Sequence, residues 1–302
     1  MKQEASFAAG RISSIFAMAT SLTFVPSIKM KMAYRTFQPC PALRPFVRMY
    51  WAFDTALAEE TEGILRRRIP DGTASIVITI ENFSWMDRGN GWRASQGALL
   101  QGVCSHAYML RAQPKTVSFG VIFKPETAYR LFGLPLGELA DGGTDLENAF
   151  GPAGKTWAEQ IRNASDNGER VRIADAFFQR QLRRSPAEHP YLDKALSLIR
   201  ASGGSLEVES LSRQLFVGRR QLERQFRQHI GLSPKMMLRI ERFRSALNMA
   251  KMHPGRGILT EIAHTCGYAD QAHFIRECRD LTNVAPLHLL VPLREPVSTV
   301  LF

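Results

Sequence analysis

Apolar and polar positions alternate differently in the two halves of the chain. Between Tyr34 and Phe150 the apolar residues come in short runs rich in β-branched and aromatic side chains: Ile76-Val77-Ile78-Thr79-Ile80, Leu99-Leu100 ahead of Gly102-Val103, and Thr116 through Phe123. Gly and Pro punctuate these runs, as in Pro70-Asp71-Gly72 and at Pro125, which predicts strands of a small β domain. Leu43 to Phe53 reads as a short helix running into a strand, with Pro45 in its first turn. Asp71 is placed to fix its own turn. From Trp157 to Arg184 the spacing becomes that of two amphipathic helices, and Ser185-Pro186 through Pro190 reads as a linker.

Beyond the linker the period is helical. In Gly218 to Ile230, Leu222, Phe226 and Ile230 recur every fourth residue and form one buried stripe. Arg220, Glu223, Arg224 and Arg227 share the opposite face. Upstream, Leu206 to Leu215 has its own apolar spacing, and Phe216-Val217-Gly218 separates the two, so a short helix, a tight turn and a second helix are predicted, with Gly218 as N-cap. Ser233-Pro234 then opens a long helix running to about Met252 and ending before His253-Pro254-Gly255. The helix-turn-helix pattern returns at Ile258 to Thr265, with Gly267 where a left-handed residue is needed, and Asp270 capping a helix from Gln271 to Leu281. Phe274, Cys278 and Leu281 mark its buried side. Ala272, Arg276 and Arg279 lie opposite, flanked by Gln271 and His273.

Charge sharpens this picture. The chain has 302 residues, 45% hydrophobic and 22% charged, which excludes wholesale disorder and leaves room for two domains. Its net charge is +11. Between Ser210 and Arg256 there are eleven Lys and Arg but only two acids, Glu223 and Glu241. So local a surplus favours a binding face over general solubility; charge alone still leaves a solvated helix surface ahead, and it is the spacing of the two units that changes the balance.

The ordered residues from 190 to 292 resemble the AraC/XylS-type DNA-binding domain of bacterial transcription regulators. They are Leu222-x-Arg224-x-Phe226, Gly231-Leu-Ser-Pro234-Lys235, Arg242-Phe-Arg244-x-Ala246-Leu247, Glu261-Ile-Ala263, and Cys266-Gly267-Tyr268-Ala-Asp270-Gln271-Ala-His273-Phe274-x-Arg276. Departures are Ser212 for a common Ala, Cys278 for Phe, and Asn283 and Ala285 for Gly and Thr. The resemblance implies an all-α domain in which two helix-turn-helix units, joined by the long helix, enter successive major grooves about 34 Å apart. It implies base contacts from Arg220, Glu223 and Arg224 in the first unit and from Gln271, Ala272, His273 and Arg276 in the second. Each residue type suits such a contact: Arg grips guanine, Gln pairs with adenine, Glu accepts from cytosine, and Ala touches a thymine methyl. Surface pairing of Glu223 with a neighbouring Arg and a capping role for His273 are the plainer readings of those two. Arg213, Arg219, Arg227, Lys235, Arg242, Arg244 and Arg279 are the backbone-neutralising candidates.

The N-terminal part is similar to an uncharacterised cupin-like sensor domain found ahead of AraC-type domains. The residues are Tyr50-Trp51, Pro70-Asp71-Gly72, Phe123-x-Pro125 and Leu134-Pro135-x-x-Glu138-Leu139. The expected architecture is two-domain α+β: a leader over 1–33, a β-rich sensor over 34–150, a helical segment and linker over 151–189, the DNA-binding domain over 190–292, and a tail over 293–302. The expected partners are double-stranded DNA, a small-molecule effector, a second copy of the chain and RNA polymerase. The function implied is that of a cytoplasmic transcription regulator, of activator type, rather than an enzyme; the sequence itself does not separate activation from repression.

Other classes are weighed against this. Lys2 and Arg11 precede an apolar stretch, but Ile12 to Phe16 is too short for an export signal, and Met30 or Met32 is the expected functional start. No run reads as a membrane span. Cys40, Cys104, Cys266 and Cys278 form no C-x-x-C pair, and His106 is the only His before residue 189, so neither a metal nor another cofactor is expected. The alternative is a small-molecule-modifying or redox-sensing enzyme domain, acting through Cys104 or Cys40, fused to a DNA-targeting module. On a strand Cys104 and His106 would share a face. A basic nucleic-acid binder without sequence preference is a third reading. Trp51, Trp85, Trp92 and Phe123 are either core or the wall of an apolar pocket, and no ligand-contact residue is singled out.

Overall fold

The computed structural model describes residues 31–57, 64–82, 84–95, 97–124, 131–132, 135–182, 190–252, 258–290 and 297–300. The expected leader up to residue 30, the linker at 183–189, His253-Pro254-Gly255, Pro125, Leu134 and most of the tail lie outside the described residues. The N-terminal half builds two sheets. Strands β1 (Lys31–Phe37), β2 (Val47–Leu57), β4 (Ser75–Glu81), β7 (Ala98–Gln101), β9 (Val117–Phe123) and β10 (Gly143–Asp145) form one, in the order β1-β2-β9-β4-β7-β10. Strands β3 (Ile64–Arg68), β5 (Ser84–Asp87), β6 (Arg93–Ser95), β8 (Tyr108–Ala112) and β11 (Val297–Val300) form the other, in the order β11-β3-β8-β5-β6. Neighbouring strands pair antiparallel, except that β11 runs parallel to β3. The helix expected after Leu43 is instead a 3-10 turn at Pro41–Leu43, and Val47 already begins a strand. The β-branched and aromatic residues there gain more from cross-strand partners than from a helix.

Each strand of the six-stranded sheet sends alternate residues to opposite faces. Tyr50, Ile76, Phe119 and Phe123 face helices α2 (Pro152–Asn163) and α3 (Asn167–Leu182), which follow the short α1 (Leu146–Phe150). Phe123 meets Phe178 edge-on with ring centroids 5.3 Å apart, and Trp157 stacks on Phe177 at 4.5 Å. Helices α2 and α3 therefore complete the core of the β domain. The other face looks toward the second sheet and is partly polar. Tyr108 Oη and Ser75 Oγ donate to Gln101 Oε1 at 3.4 and 3.3 Å, and the Arg66 guanidinium lies 4.0 Å from the Phe53 ring. Trp51 lies across Gly120 of the paired strand, where an added Cβ would stand 2.1 Å from the indole. Trp51 and Phe123 are thus buried, whereas Trp92 is exposed beside Arg111.

The C-terminal half is helical: α4 (Pro190–Ala201), α5 (Val208–Leu215), α6 (Arg219–His229), α7 (Pro234–Met252), α8 (Ile258–Thr265), α9 (Gln271–Thr282) and α10 (Pro286–Leu290). Helix α7 starts at the expected proline, with Ser233 Oγ accepting from the Met236 N–H at 3.2 Å. Its buried residues include Leu238, which packs with the first unit, and Phe243, Ala246, Leu247 and Ala250, which pack with the second. It is therefore a shared spine.

Polar clamps fix both units to the spine. Arg242 donates through Nε and Nη2 to the Gly204 carbonyl at 3.1 and 2.9 Å, tying down the α4–α5 loop. Arg239 reaches Glu277 Oε2 at 3.3 Å and Asp280 Oδ2 at 2.5 Å, locking α9. The hydrogen bond from Arg239 holds the Asp280 carboxyl below the usual carboxylate range.

Among the described residues the β domain docks on this assembly through the turn at Asp71, through Ala107 and through the 3-10 turn Leu136–Leu139. Asp71 Oδ1 accepts from the Thr73 N–H and hydroxyl at 3.0 and 2.7 Å, as expected of the turn, and buried Arg68 lies 3.7 Å away. That turn carries Gly72 onto α7, where an added Cβ would stand 3.0 Å from the Met237 methyl, and Ile69 enters the core of the second unit. The Ala107 N–H donates to the Leu281 carbonyl at the end of α9 at 2.7 Å. The 3-10 turn Leu136–Leu139 packs on α6.

Two stability outcomes follow from this packing. Trp157→Ala should cost about 3–5 kcal/mol in chemical denaturation, because α2 is core to the β domain; a loss as small as an exposed site gives would contradict that placement. Arg239→Ala leaves buried Glu277 without its guanidinium and should cost about 2 kcal/mol, while Arg279→Ala on the exposed side of the same helix should cost under about 0.5 kcal/mol by the same measurement.

Candidate nucleic-acid interface

Helix α6 begins because Gly218 adopts extended backbone as its N-cap, and it is held by Leu222 and Phe226, both fully buried. The residues between them face outward. Arg220, Arg224 and Arg227 are exposed and, among the described residues, take part in no ion pair. Glu223 is partly covered and accepts from Arg219 Nε at 3.0 Å, while Arg219 also reaches Glu209 of α5. The surface pairing anticipated for Glu223 is therefore present.

Ser212 has a visible purpose. Its hydroxyl donates to the Val217 carbonyl, and the Phe216 and Val217 N–H groups donate back to Arg213 and Ser212 carbonyls. These bonds pin the turn that aims α6.

Helix α9 is aimed by different devices. Gly267 is left-handed with φ +77°, and Asp270 accepts from the His273 N–H at 2.5 Å, both as the sequence pattern requires. Asn283 takes φ +60° at the other end, a conformation that Asn tolerates better than most side chains. Cys278 is buried, its Sγ facing the Thr282 hydroxyl at 3.8 Å and the Val284 carbonyl at 3.4 Å, and burial pushes its thiol up to about 11.

The predicted base-facing residues of α9 divide into two groups. Ala272 and Arg276 are exposed, and Arg276 has no ion pair among the described residues. Gln271 accepts from the Thr260 hydroxyl at 2.8 Å, bracing α8. His273 is half-buried; its Nδ1 accepts from the Ala269 N–H at 3.3 Å and its ring meets Tyr268 edge-on.

Arg213, Lys235 and Arg279 are exposed. Arg242 and Arg244 direct their donors into the protein, to the Gly204 carbonyl and to Glu241 Oε2 at 2.9 Å. Sequence reasoning gave no special place to Arg239, Glu277 or Asp280. Their signal was an Arg on one helix and two acids on another, a pairing that spacing along either helix cannot show.

The face of α6 opens on a cleft of about 890 Å3 that it shares with the β domain. Arg220, Arg224 and Arg227 form one wall, and Ser105, Glu138 and Asp141 the other. Asp141 is held by the Ser105 N–H and hydroxyl at 2.6 and 2.5 Å, and His106 Nδ1 lies 2.8 Å from the same hydroxyl. At the rim the two halves of the chain touch. A Cβ on Gly137 would stand 2.3 Å from the Arg227 carbonyl oxygen, and one on Gly231 2.8 Å from that of Leu136.

Cys104 and His106 do not share a strand face: residues 102–107 are irregular, Cys104 is buried and His106 is exposed. Burial pushes the Cys104 thiol up to about 11, which leaves it protonated and unreactive at neutral pH. Among the described residues no cluster of three or more His, Cys, Asp or Glu could hold a metal ion, and no helix is long and apolar enough to cross a membrane.

Comparison with known proteins agrees with this geometry. Residues 211–290 match a family model described as a helix-turn-helix domain, and residues 35–145 match one described as a domain of unknown function, DUF6597. No curated protein matches the chain. Among solved structures, a transcriptional regulator of the AraC-type DNA-binding domain-containing proteins from Chromobacterium violaceum is 30% identical over 32% of this chain and 86% of its own, with a TM-score of 0.29. ToxT from Vibrio cholerae is 11% identical over 85% of this chain and 98% of its own, with a TM-score of 0.45. The cupin domain of an XRE-family transcriptional regulator from Enterobacter cloacae is 16% identical over 30% of this chain and 94% of its own, with a TM-score of 0.24. With two capped helices on one spine, a family-model match across both and that identity to the Chromobacterium violaceum protein, the chain belongs to the transcriptional regulators with an AraC-type DNA-binding domain.

Proposed function

We propose that α6 and α9 read two segments of one duplex about a turn apart, with Arg220, Glu223 and Arg224 at the first and Gln271, Ala272, His273 and Arg276 at the second. The observation that carries this reading is the pair of helices that turn exposed arginines outward while a common 19-residue spine holds them. Arg220 and Arg276 are free to form bidentate contacts with guanine. Gln271 and His273 would have to release protein partners, so their contribution is smaller. Arg213, Arg227, Lys235 and Arg279 neutralise phosphates. Arg219, Arg242 and Arg244 share that part only weakly, since all three already hold protein groups.

The N-terminal domain governs access to this surface, under the control of a small-molecule effector. It walls one side of the α6 cleft and places Glu138 and Asp141 across from the arginines that DNA phosphates would meet. An effector shifts the balance only by binding the docked and undocked forms unequally. Pairing of two copies and recruitment of RNA polymerase belong to the same reading, as does action in the cytoplasm.

Selection from a pool of random duplexes with the full chain tests the reading by returning a bipartite sequence; a footprint without sequence preference would refute it. On the selected duplex, Arg276→Ala should lose about 1–3 kcal/mol while binding to random DNA persists; equal loss on both would make Arg276 a phosphate contact. Gly137→Val forces the 3-10 turn off the Arg227 carbonyl without touching a reading side chain. If docking masks α6, this variant binds the selected duplex at least about fivefold more tightly in a fluorescence titration, and unchanged or weaker binding rejects the masking.

A further inference from the structure

Phe216 is the most exposed large apolar residue described, at 94% of its free surface, and it has a left-handed backbone, with φ 54° and ψ 36°. The two features oppose ordinary preferences. A bulky side chain at positive φ is strained, and glycine serves that position at no cost. The same molecule shows the cheaper solution, because the turn of the second unit places Gly267 at φ +77°. The backbone of the first turn is also over-determined. The Ser212 hydroxyl bonds to the Val217 carbonyl, and the Phe216 N–H bonds to the Arg213 carbonyl, whatever side chain stands at 216. Folding therefore does not need a phenyl ring here, and strain retained at an exposed position is the mark of a contact made outside the chain.

Its place identifies the partner. Phe216 lies three residues before Arg219, the first residue of α6, at the end that enters the groove. Arg213, Arg219 and Arg220 flank it in sequence, and all three are exposed. An aromatic ring among guanidinium groups at the mouth of a reading helix meets the rim of the major groove, where deoxyribose offers apolar C–H surface between phosphates. We propose that Phe216 packs against a deoxyribose at that rim and sets the depth and angle at which α6 enters. The contact involves no base edge, so it strengthens binding to any duplex. This inference rests on the reading of α6 as a DNA-entering helix.

The test uses the full chain, the selected duplex and a random duplex. Phe216→Gly should melt at the same temperature or roughly 2–4 °C higher, since strain is relieved. Phe216→Gly and Phe216→Ala should each bind both duplexes about tenfold more weakly, and Phe216→Trp should restore affinity. Unchanged affinity for the Ala and Gly variants, with Arg220→Ala still impaired, overturns the proposal alone. Unchanged affinity combined with loss of activation at a promoter carrying the selected sequence also overturns it, and assigns the ring to RNA polymerase. Indifference of both Arg220→Ala and Arg276→Ala overturns the reading of α6 and this inference together.

Discussion

Helix α7 must bury residues on more than one side, and much of the rest of the C-terminal half follows from that constraint. Its 19 residues span about 28 Å, close to one turn of B-form DNA. A helix of that length carries two cores only if its apolar residues wrap around it, and here Leu238 serves one while Phe243, Leu247 and Ala250 serve the other. A narrow apolar stripe would have placed both units on the same side of the spine. Polar contacts then remove the remaining freedom to rotate. Arg242 holds the loop before α5, and Arg239 holds α9 through Glu277 and Asp280. Helices α6 and α9 thus take their separation and their angle from one element.

The same spine receives the β domain. Gly72 approaches Met237 and Ile69 enters the core beside Phe243, so the turn at Pro70-Asp71-Gly72 is a docking element as well as a strand connector. Contacts at the 3-10 turn and at Ala107 add one touch on each helix-turn-helix unit. A domain that touches the spine and both helix-turn-helix units is placed to move as a body, which suits the masking of α6 proposed above.

Local signals were legible in the sequence. The Ser233-Pro234 start, the Asp270 cap and the glycine at 267 are each decided by one or two neighbouring residues, and all three stand in the structure as their chemistry requires. Strands β4, β7 and β9 were legible from their own runs of β-branched and aromatic residues. The short helix expected at the start of Leu43 to Phe53 was not, because Val47 already pairs with Phe123 of β9, far along the chain; the strand expected after it is present as β2. The interface was legible in composition but not in detail. Arg220 and Arg276 stand exposed as expected, while Gln271, His273, Arg242 and Arg244 are engaged by partners that no helical spacing discloses. The approach of Gly137 to Arg227 joins residues so distant in sequence that only the folded chain shows why that position lacks a side chain.

The bond from the Ala107 amide to the Leu281 carbonyl joins the two halves through main-chain atoms alone. Every residue type but proline can supply that donor, and every residue can supply that acceptor. The joint is therefore indifferent to drift at both positions. Substitution at residue 107 or 281, proline at 107 excepted, leaves this link between the two halves in place.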